Sequence, residues 1–271
     1  MDTMQDFAGI LRSWRQVRGL SQMQLALEAG VSQRHVSFLE LGRTAPSRAM
    51  VIRLGQALNV PLREQNVLLL AAGFAPIWRQ SKLDSPRLAM INRALDLMLE
   101  QHEPLPAFVI DRCWRLLRAN EGGRIFAGFL MGGPPFTPDP ESPINLADAF
   151  MAPDGMRPLI VNWEAAAGQF LRTVRADALA DGTAESRELL DRLLGYPDAR
   201  EIFDAMPAVE NPDPVLTMTI AKDDIRFELF TTLATLGTPL DVTAQDIRIE
   251  CFFPADAASA VALRRLTDST S

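Results

Sequence analysis

Near the N-terminus the chain has two short helical segments in succession, each opened by a serine and closed by a glycine. Ser21 precedes Gln24 by three residues, the capping-box spacing that satisfies free amides at a helix start, and this helix ends at Gly30. Ser32 caps the next helix, which Gly42 closes. Two short helices separated by a tight glycine-containing turn predict a helix-turn-helix.

Further helices are predicted on both sides of this pair. Apolar residues at helical spacing over Phe7–Val17 predict a first amphipathic helix at about residues 5–18. A fourth helix is expected after Pro46-Ser47 and a fifth after Pro61. The count fits an all-α domain of five helices over residues 1–75.

The charge of the chain divides between this domain and the remainder. Residues 1–75 hold eight arginines and five acidic residues, a formal charge of +3, so the total of -7 leaves -10 on the rest. A small basic module joined to a larger acidic one suits a protein in which one part contacts phosphates. A difference of a few charges also arises by chance, and charge alone leaves both explanations open.

The motifs of the basic module carry a family resemblance. They are Gly19-Leu-Ser-Gln-Met-Gln-Leu-Ala, Gly30-Val-Ser-Gln-Arg-His-Val-Ser, Leu39-Glu-Leu-Gly-Arg and Pro46-Ser. Over roughly residues 7–73 this run resembles the XRE family of phage-repressor-like DNA-binding domains. The resemblance implies a double-stranded DNA operator as partner, with the third helix in the major groove and neighbouring segments on phosphates.

The resemblance gives the polar residues of the motif individual roles. Gln33 and Arg34 open the third helix, where glutamine pairs bidentately with adenine and arginine with guanine. Ser37, one turn later, is expected to point the same way. Gln22 is expected to orient Gln33 or to hold a phosphate at a helix N-terminus, and Arg43 to contact the DNA backbone.

Other positions of the motif have a structural or an open role. Arg15 and Glu40 occupy the positions of the family's internal salt bridge and are expected to be structural. His35 either reads a base or is a solvated residue of the helix surface. Phe38 stands where the family commonly has a polar residue, so it either contacts a thymine methyl group or packs on a neighbour.

A second domain is predicted over residues 87–271. Residues 76–86 include two prolines and no sustained periodicity, so they are interpreted as a linker. A helix to about Gln101 and two short strands at 107–110 and 114–118 follow, with a tight turn at Asp111-Arg112.

A helical block and a second set of strands complete this domain. Strands are expected to begin near Val215, Ile225 and Ile247, with Lys222-Asp-Asp as a hairpin turn. This order predicts an α+β domain in which helices cover one face of an antiparallel sheet of about five strands. The proline-rich segment 132–143 is expected to be an irregular loop, a lid or disorder.

The second domain has a resemblance of its own. Its motifs are His102-Glu-Pro-Leu-Pro-Ala, Asp111-Arg-x-Trp-Arg-Leu-Leu-Arg-Ala-Asn, Asn145-Leu and Asn162-Trp-Glu. The stretch from Leu83 to Leu266 resembles the MmyB-like ligand-binding domain, which is PAS-like and commonly joined to an XRE module. The resemblance implies an apolar cavity for a small, fatty-acid-like ligand.

Candidate lining residues are aromatic with a few polar partners. They are Trp114, Phe126, Trp163 and Phe170, with Asn120, Asn162 and Arg172 as polar groups. Each aromatic residue also fits an ordinary core position. Arg172 either clamps a carboxylate or is solvated or paired with a neighbour such as Glu164.

Several function classes are disfavoured by the sequence. It contains no G-x-S-x-G, Walker or G-x-G-x-x-G motif, so an enzyme is not predicted. Two cysteines and two histidines cannot form a disulfide framework or a recognisable metal cluster, and no cofactor is expected. No apolar run reaches the roughly 18 residues of a membrane helix and no signal peptide is recognisable, which predicts a cytoplasmic protein without a membrane partner.

The leading hypothesis is therefore a sequence-specific DNA-binding transcriptional regulator. Its C-terminal domain is expected to bind a small apolar or fatty-acid-like effector that modulates DNA binding. A homodimer is inferred from the symmetry of operators. The alternative is a DNA-binding regulator whose C-terminal domain binds a protein partner instead of a small molecule.

Overall fold

A computed structural model of the chain describes residues 3–139, 142–205 and 215–268. It divides into two compact units. The first comprises the chain to Lys82 with the short segments Leu179–Thr183 and Thr238–Gln245. The second comprises the other described residues from Leu83 onward. The division falls inside the segment interpreted as a linker.

The first unit contains the predicted N-terminal helices. They are α1 (Thr3–Val17), α2 (Gln22–Glu28), α3 (Gln33–Glu40), α4 (Arg48–Ala57) and α5 (Leu62–Ala71). Ser21, Ser32 and Ser47 each accept a hydrogen bond from a backbone N–H in the first turn of the helix that follows. The all-α, five-helix prediction for this part of the chain is confirmed.

Small and branched side chains set the packing of α2 against α3. Ala26, Val36 and Leu39 are almost completely buried. Gly30 lies in the turn between the helices with a φ of +62°, a left-handed conformation that glycine adopts without steric cost. Burial of one side of α3 against the domain core leaves its other side at the surface.

The second unit is built around an antiparallel sheet with strand order β2-β1-β5-β4-β3. The strands are β1 (Ala107–Ile110), β2 (Leu116–Ala119), β3 (Met218–Lys222), β4 (Ile225–Thr235) and β5 (Arg248–Pro254). Asp223 and Asp224 connect β3 to β4, so the predicted hairpin is confirmed. The α+β prediction with five strands is confirmed as well.

Helices in the second part of the chain precede, separate and follow these strands. They are α6 (Ala89–Gln101), α7 (Glu121–Met131), α8 (Leu146–Met151), α9 (Trp163–Asp181), α10 (Ala184–Leu194), α11 (Ala199–Ala205), α12 (Val242–Asp246) and α13 (Ala257–Asp268). The short helices α8 and α12 and the final helix α13 were not predicted. α13 packs on the sheet side that carries the main core, to which Leu263 and Leu266 belong.

Side chains along the strands alternate between the two faces of the sheet, and each face has its own hydrophobic core. Phe108 and Phe252 point into the large cluster formed with α7, α9 and α10. Val109 and Ile249 point to the opposite face, where Leu95 of α6 covers them. The expected helical cover on one face is therefore present, and α6 adds a cover on the other.

The connection between β1 and β2 differs from the expected two-residue turn. The Asp111 carboxylate accepts hydrogen bonds from the backbone N–H groups of Cys113 and Arg115, at 2.8 and 3.0 Å. This Asx-type turn holds Trp114 at a φ of +64° and delays the second strand to Leu116. The third strand likewise begins at Met218, later than predicted.

Candidate functional site

The exposed side of α3 is the candidate DNA-reading surface. Gln33 and Arg34 are exposed at its first two positions, directly after the Ser32 cap. The helix that carries them is held by its opposite side, where Val36 is completely buried. A rigid helix with two exposed, bidentate-capable side chains at its start has the geometry needed to reach base edges in a major groove.

Phe38 packs on the side chain of Arg34. The guanidinium carbon of Arg34 lies 5.1 Å from the centroid of the Phe38 ring, one helical turn away. Of the two roles left open for Phe38, the structure shows packing on a neighbour. The ring thereby restricts the rotamers of Arg34 before any contact with DNA.

The remaining predicted residues of this surface lie around the same helix. His35 and Ser37 are half-buried, and Arg43 is exposed beyond the helix end. The Arg43 backbone N–H donates to the Phe38 carbonyl at 2.9 Å, while Gly42 adopts a φ of +65°. This glycine-containing cap directs the chain, and with it Arg43, away from the helix axis.

Gln22 contacts Glu40 and not Gln33 in the structure. Its amide donates to the Glu40 carboxylate at 2.9 Å, and Arg15 donates to the two oxygens of the same carboxylate at 2.6 and 2.9 Å. The expected structural pairing of Arg15 with Glu40 is thus present. The expectation that Gln22 orients Gln33 is not supported, because its amide is engaged by a buried carboxylate.

The partners of Glu40 keep this buried carboxylate ionised. Burial by itself raises the pKa of Glu40, but the hydrogen bonds from Arg15 and Gln22 and the charges of Arg15 and Arg12 outweigh it. The net result is a pKa below the ordinary value of 4.5. An ionised Glu40 ties α3 to α1 and α2 and so fixes the orientation of the reading helix.

The second unit contains a cavity of about 460 Å³ on the sheet face that carries the main core. Residues of all five strands form its floor, and α7, α8 and α9 supply its walls. Three of the predicted residues line it, namely Trp114, Phe126 and Phe170. Trp114 and Phe170 meet edge to face with ring centroids 4.8 Å apart.

The predicted polar residues are not among the residues that line this cavity. The Asn120 side chain caps α7 and bonds the backbone at Ala107 and Leu105. The Asn162 amide bridges the backbone of Thr217 and Thr219. Because backbone groups already occupy both amides, the structure does not support these two asparagines as ligand contacts.

Trp163 and Arg172 also lie outside the lining. The Trp163 ring contacts Phe150 at 5.4 Å and lies under the Arg157 guanidinium at 5.1 Å. Arg172 donates to Gln169, its neighbour one turn earlier on α9, at 2.8 Å. Of the roles left open for Arg172, the structure shows pairing with a neighbour on the same helix, which here is Gln169 and not Glu164.

The most informative lining residue, Glu250, was missed by sequence reasoning. It lies in the middle of β5, pairs with Phe108 of β1 and with Leu233 of β4, and is only 8% exposed. The signal was present: in Ile247-Arg-Ile-Glu-Cys-Phe-Phe, alternation puts Glu250 and Phe252 on one face of a central strand.

Glu250 has a very different electrostatic environment from Glu40. Burial raises the pKa of Glu250 from 4.5 to about 7, and the hydrogen bond from the Thr231 hydroxyl only partly opposes this. Thr231 lines the same cavity. A carboxyl group in apolar surroundings with one hydroxyl partner is costly to ionise unless a cation joins it.

Described parts of the proline-rich segment border the cavity. Phe136 is a lining residue, and its backbone N–H donates to the Arg124 carbonyl of α7 at 2.8 Å. A Cβ on Gly128 would overlap the Pro134 carbonyl oxygen, so α7 and this segment pack backbone to backbone. The expected irregular loop is confirmed for its described residues, whereas Pro140 and Glu141 lie outside them.

Other site types receive no support from the described residues. They contain no cluster of three or more histidine, cysteine or acidic side chains able to hold a metal ion. Cys113 and Cys251 are both free thiols. None of the helices in the described ranges combines the length and the hydropathy needed to cross a bilayer.

Comparison with known families agrees with both resemblances. Residues 11–65 match the helix-turn-helix family, and residues 91–266 match the family described as the MmyB-like transcription regulator ligand binding domain. The second match covers more than half of the chain. The search of curated proteins found no match to the chain. The chain therefore belongs to the MmyB-like transcription regulators, as a DNA-binding regulator that joins a helix-turn-helix to a ligand-binding domain.

Proposed function

We propose that this protein is a one-component regulator, not an enzyme, whose sequence-specific DNA binding is modulated by a small apolar effector in the cavity of the second unit. One observation carries the proposal: an apolar cavity of about 460 Å³ shares a chain with a helix-turn-helix whose reading residues are exposed. Cavities of this kind, apolar with few polar groups, are typical of small-molecule sites.

DNA reading is assigned to the start of α3. Gln33 and Arg34 contact base edges, Phe38 holds Arg34 in place, and Arg43 contacts phosphate. His35 and Ser37 lie beside them and contribute to the same surface. Gln22 acts at a distance by positioning α3 through Glu40.

In this proposal the effector acts on a dimer whose two DNA-binding domains have two possible arrangements. Two copies on a symmetric operator place their reading helices about 34 Å apart, and an effector changes DNA affinity only as far as it binds the two arrangements differently. Such a regulator acts in the compartment that contains the DNA. We propose that this compartment is the cytoplasm.

The DNA-reading assignment is tested by selecting preferred sites for the full-length protein from random duplexes. Gln33→Ala and Arg34→Ala are expected to relax preference at single positions, each by about 1–3 kcal/mol of discrimination. Arg93→Ala, an exposed arginine on α6, is the matched control and leaves the selected sequence unchanged. An unaltered preference in both α3 variants contradicts the assignment.

The effector is tested on the same full-length protein. Native and denaturing mass spectra are compared to identify any molecule released on unfolding, and the selected duplex is titrated with and without that molecule. A changed affinity for the duplex supports the proposal. Equal affinity with the cavity filled and empty contradicts it and favours a protein partner for the second unit.

A further inference from the structure

The polar residues that line the cavity indicate the charge of the ligand head group that it recognises. Its lining includes the neutral polar residues Gln169, Thr173, Thr217 and Thr231, and a single charged residue, Glu250. Among the described residues, no lysine, arginine or histidine lines it. A carboxylate ligand placed there would find no cation among the lining residues.

Two cationic side chains on the strands of this face already have partners. Arg248, two residues before Glu250 on the same face of β5, pairs with Asp177 of α9. Lys222 donates to the Phe129 carbonyl and lies over the Phe129 ring at 5.0 Å. Neither side chain lines the cavity. Arg172 of α9 is not a lining residue either, and its guanidinium donates to the lining residue Gln169 at 2.8 Å.

Glu250 itself is held in position by the sheet. It lies on a strand paired on both sides, opposite Phe108 and Leu233, and it lines the cavity on the same face as Phe252. The paired strand fixes the backbone of Glu250 and so keeps its side chain on the cavity face. An anionic head beside it would add like-charge repulsion to the cost of burial, whereas a cationic head would offset the burial of both groups.

We propose that the cavity recognises an amphiphile with a primary amine head, which donates its N–H groups to the Glu250 carboxylate while its apolar chain lies among the aromatic residues. Three N–H donors on an ammonium group suit an acceptor-only carboxylate, and Thr231 beside it supplies a further hydroxyl. This inference rests on the proposed function and makes it more specific: the sequence suggested a fatty-acid-like ligand, whereas the lining favours the opposite head charge.

Three probes that differ only in the head group test the inference by titration calorimetry on the full-length protein. They are decylamine, decanol and decanoate, all used below their micelle-forming concentrations at neutral pH. We expect decylamine to bind at least about tenfold more tightly than decanoate, a difference of about 1.4 kcal/mol, with decanol between them.

Glu250→Gln supplies the matched variant, because it keeps the size of the side chain, removes its charge and replaces one acceptor oxygen with an N–H donor group. It is expected to weaken decylamine binding about tenfold and to leave decanol binding unchanged. Glu228→Gln on the neighbouring strand β4 makes the same chemical change outside the cavity and should alter none of the three affinities. If Glu250→Gln fails to fold, the ratio between decylamine and decanoate in the unsubstituted protein still decides the test.

The outcomes separate this inference from the proposed function. Decanoate binding as tightly as decylamine, or an unchanged ratio in Glu250→Gln, overturns the amine-head inference and leaves the effector cavity standing. Binding of none of the three probes overturns the cavity as a site for long-chain effectors, and the amine-head inference with it.

Discussion

Each unit contains one buried glutamate of special interest: Glu40 in the first has a structural role, and Glu250 in the second faces the candidate ligand site. Glu40 is 2% exposed and Glu250 is 8% exposed, so burial alone does not separate them. Glu40 has Arg15 and Gln22 as partners and a lowered pKa, whereas Glu250 has one threonine hydroxyl and a pKa raised to about 7. The fraction of surface buried therefore does not tell the two roles apart. The partners of the carboxylate do, because a structural carboxylate is paired within the protein, whereas one at a ligand site lacks a cationic partner there.

The largest expected effect is on the structural member of the pair. Glu40→Gln should destabilise the first unit by about 3 kcal/mol, because it leaves Arg15 facing an uncharged side chain in a largely buried position. Chemical denaturation followed by circular dichroism measures the change. Glu28→Gln, on the exposed end of α2, is the matched control. A loss below about 0.5 kcal/mol would contradict a structural role for Glu40.

The same substitution at the other glutamate should have the opposite sign. The pKa of Glu250 is about 7 in the folded protein against an ordinary 4.5, so the folded state binds the proton more strongly between these values. In the ligand-free protein the titration of Glu250 therefore removes up to about 3 kcal/mol of stability as the pH rises from 4.5 to 7, and this contribution does not change further above pH 7. Glu250→Gln should remove this dependence and be more stable than the unsubstituted protein above pH 7.

Thermal unfolding at a series of pH values measures this prediction. At about pH 4.5 both proteins should unfold at similar temperatures, because Glu250 is then protonated in the folded state. Glu228→Gln should show the pH profile of the unsubstituted protein. A Glu250→Gln profile parallel to that of the unsubstituted protein would mean that Glu250 does not titrate as its surroundings indicate.

A smaller effect is expected where the proline-rich segment packs on α7. Gly128→Ala would place a Cβ against the Pro134 carbonyl oxygen, and relieving that clash should cost about 1–3 kcal/mol and weaken probe binding by displacing Phe136. Gly133→Ala is the control, since a Cβ added there would have no atom within 4 Å. Equal probe affinity in both variants would show that Phe136 does not help to enclose the cavity.

The smallest effect is expected at the edge of the DNA surface. Arg43→Ala should weaken all duplexes alike and reduce the slope of log affinity against log salt by about one, as expected for loss of one phosphate contact. Anisotropy titrations over a salt series measure this slope. A sequence-dependent loss would instead place Arg43 at a base edge.

The two regions also differ in how far the sequence predicted them. The helix-turn-helix depends on caps, glycines and apolar spacing within about twenty residues, so Ser21, Ser32 and Gly30 predicted its helices and identified the exposed Gln33 and Arg34. The dimer, the PAS-like character of the second domain and the exact domain limits stay predictions.

Local reasoning succeeded less well at the cavity. It named Trp114, Phe126 and Phe170, which line it, but also the polar residues Asn120 and Asn162, whose amides hold the backbone instead. Polarity and nearness to an apolar stretch do not show whether a side chain is already hydrogen-bonded by the fold.

The sequence was sufficient to predict the helix-turn-helix, the strands on both sides of a helical block, and the family, because these depend on short-range patterns of capping, turn and periodicity. Tertiary contacts were needed to show that Gln22 donates to Glu40, that Phe38 packs on Arg34, and that Glu250 faces an apolar cavity. Each of these contacts depends on which side chains folding brings together. The neighbours of Glu250 come from strands that are far apart in the chain, such as Phe108 of β1. The charge state of a buried group follows from such neighbours.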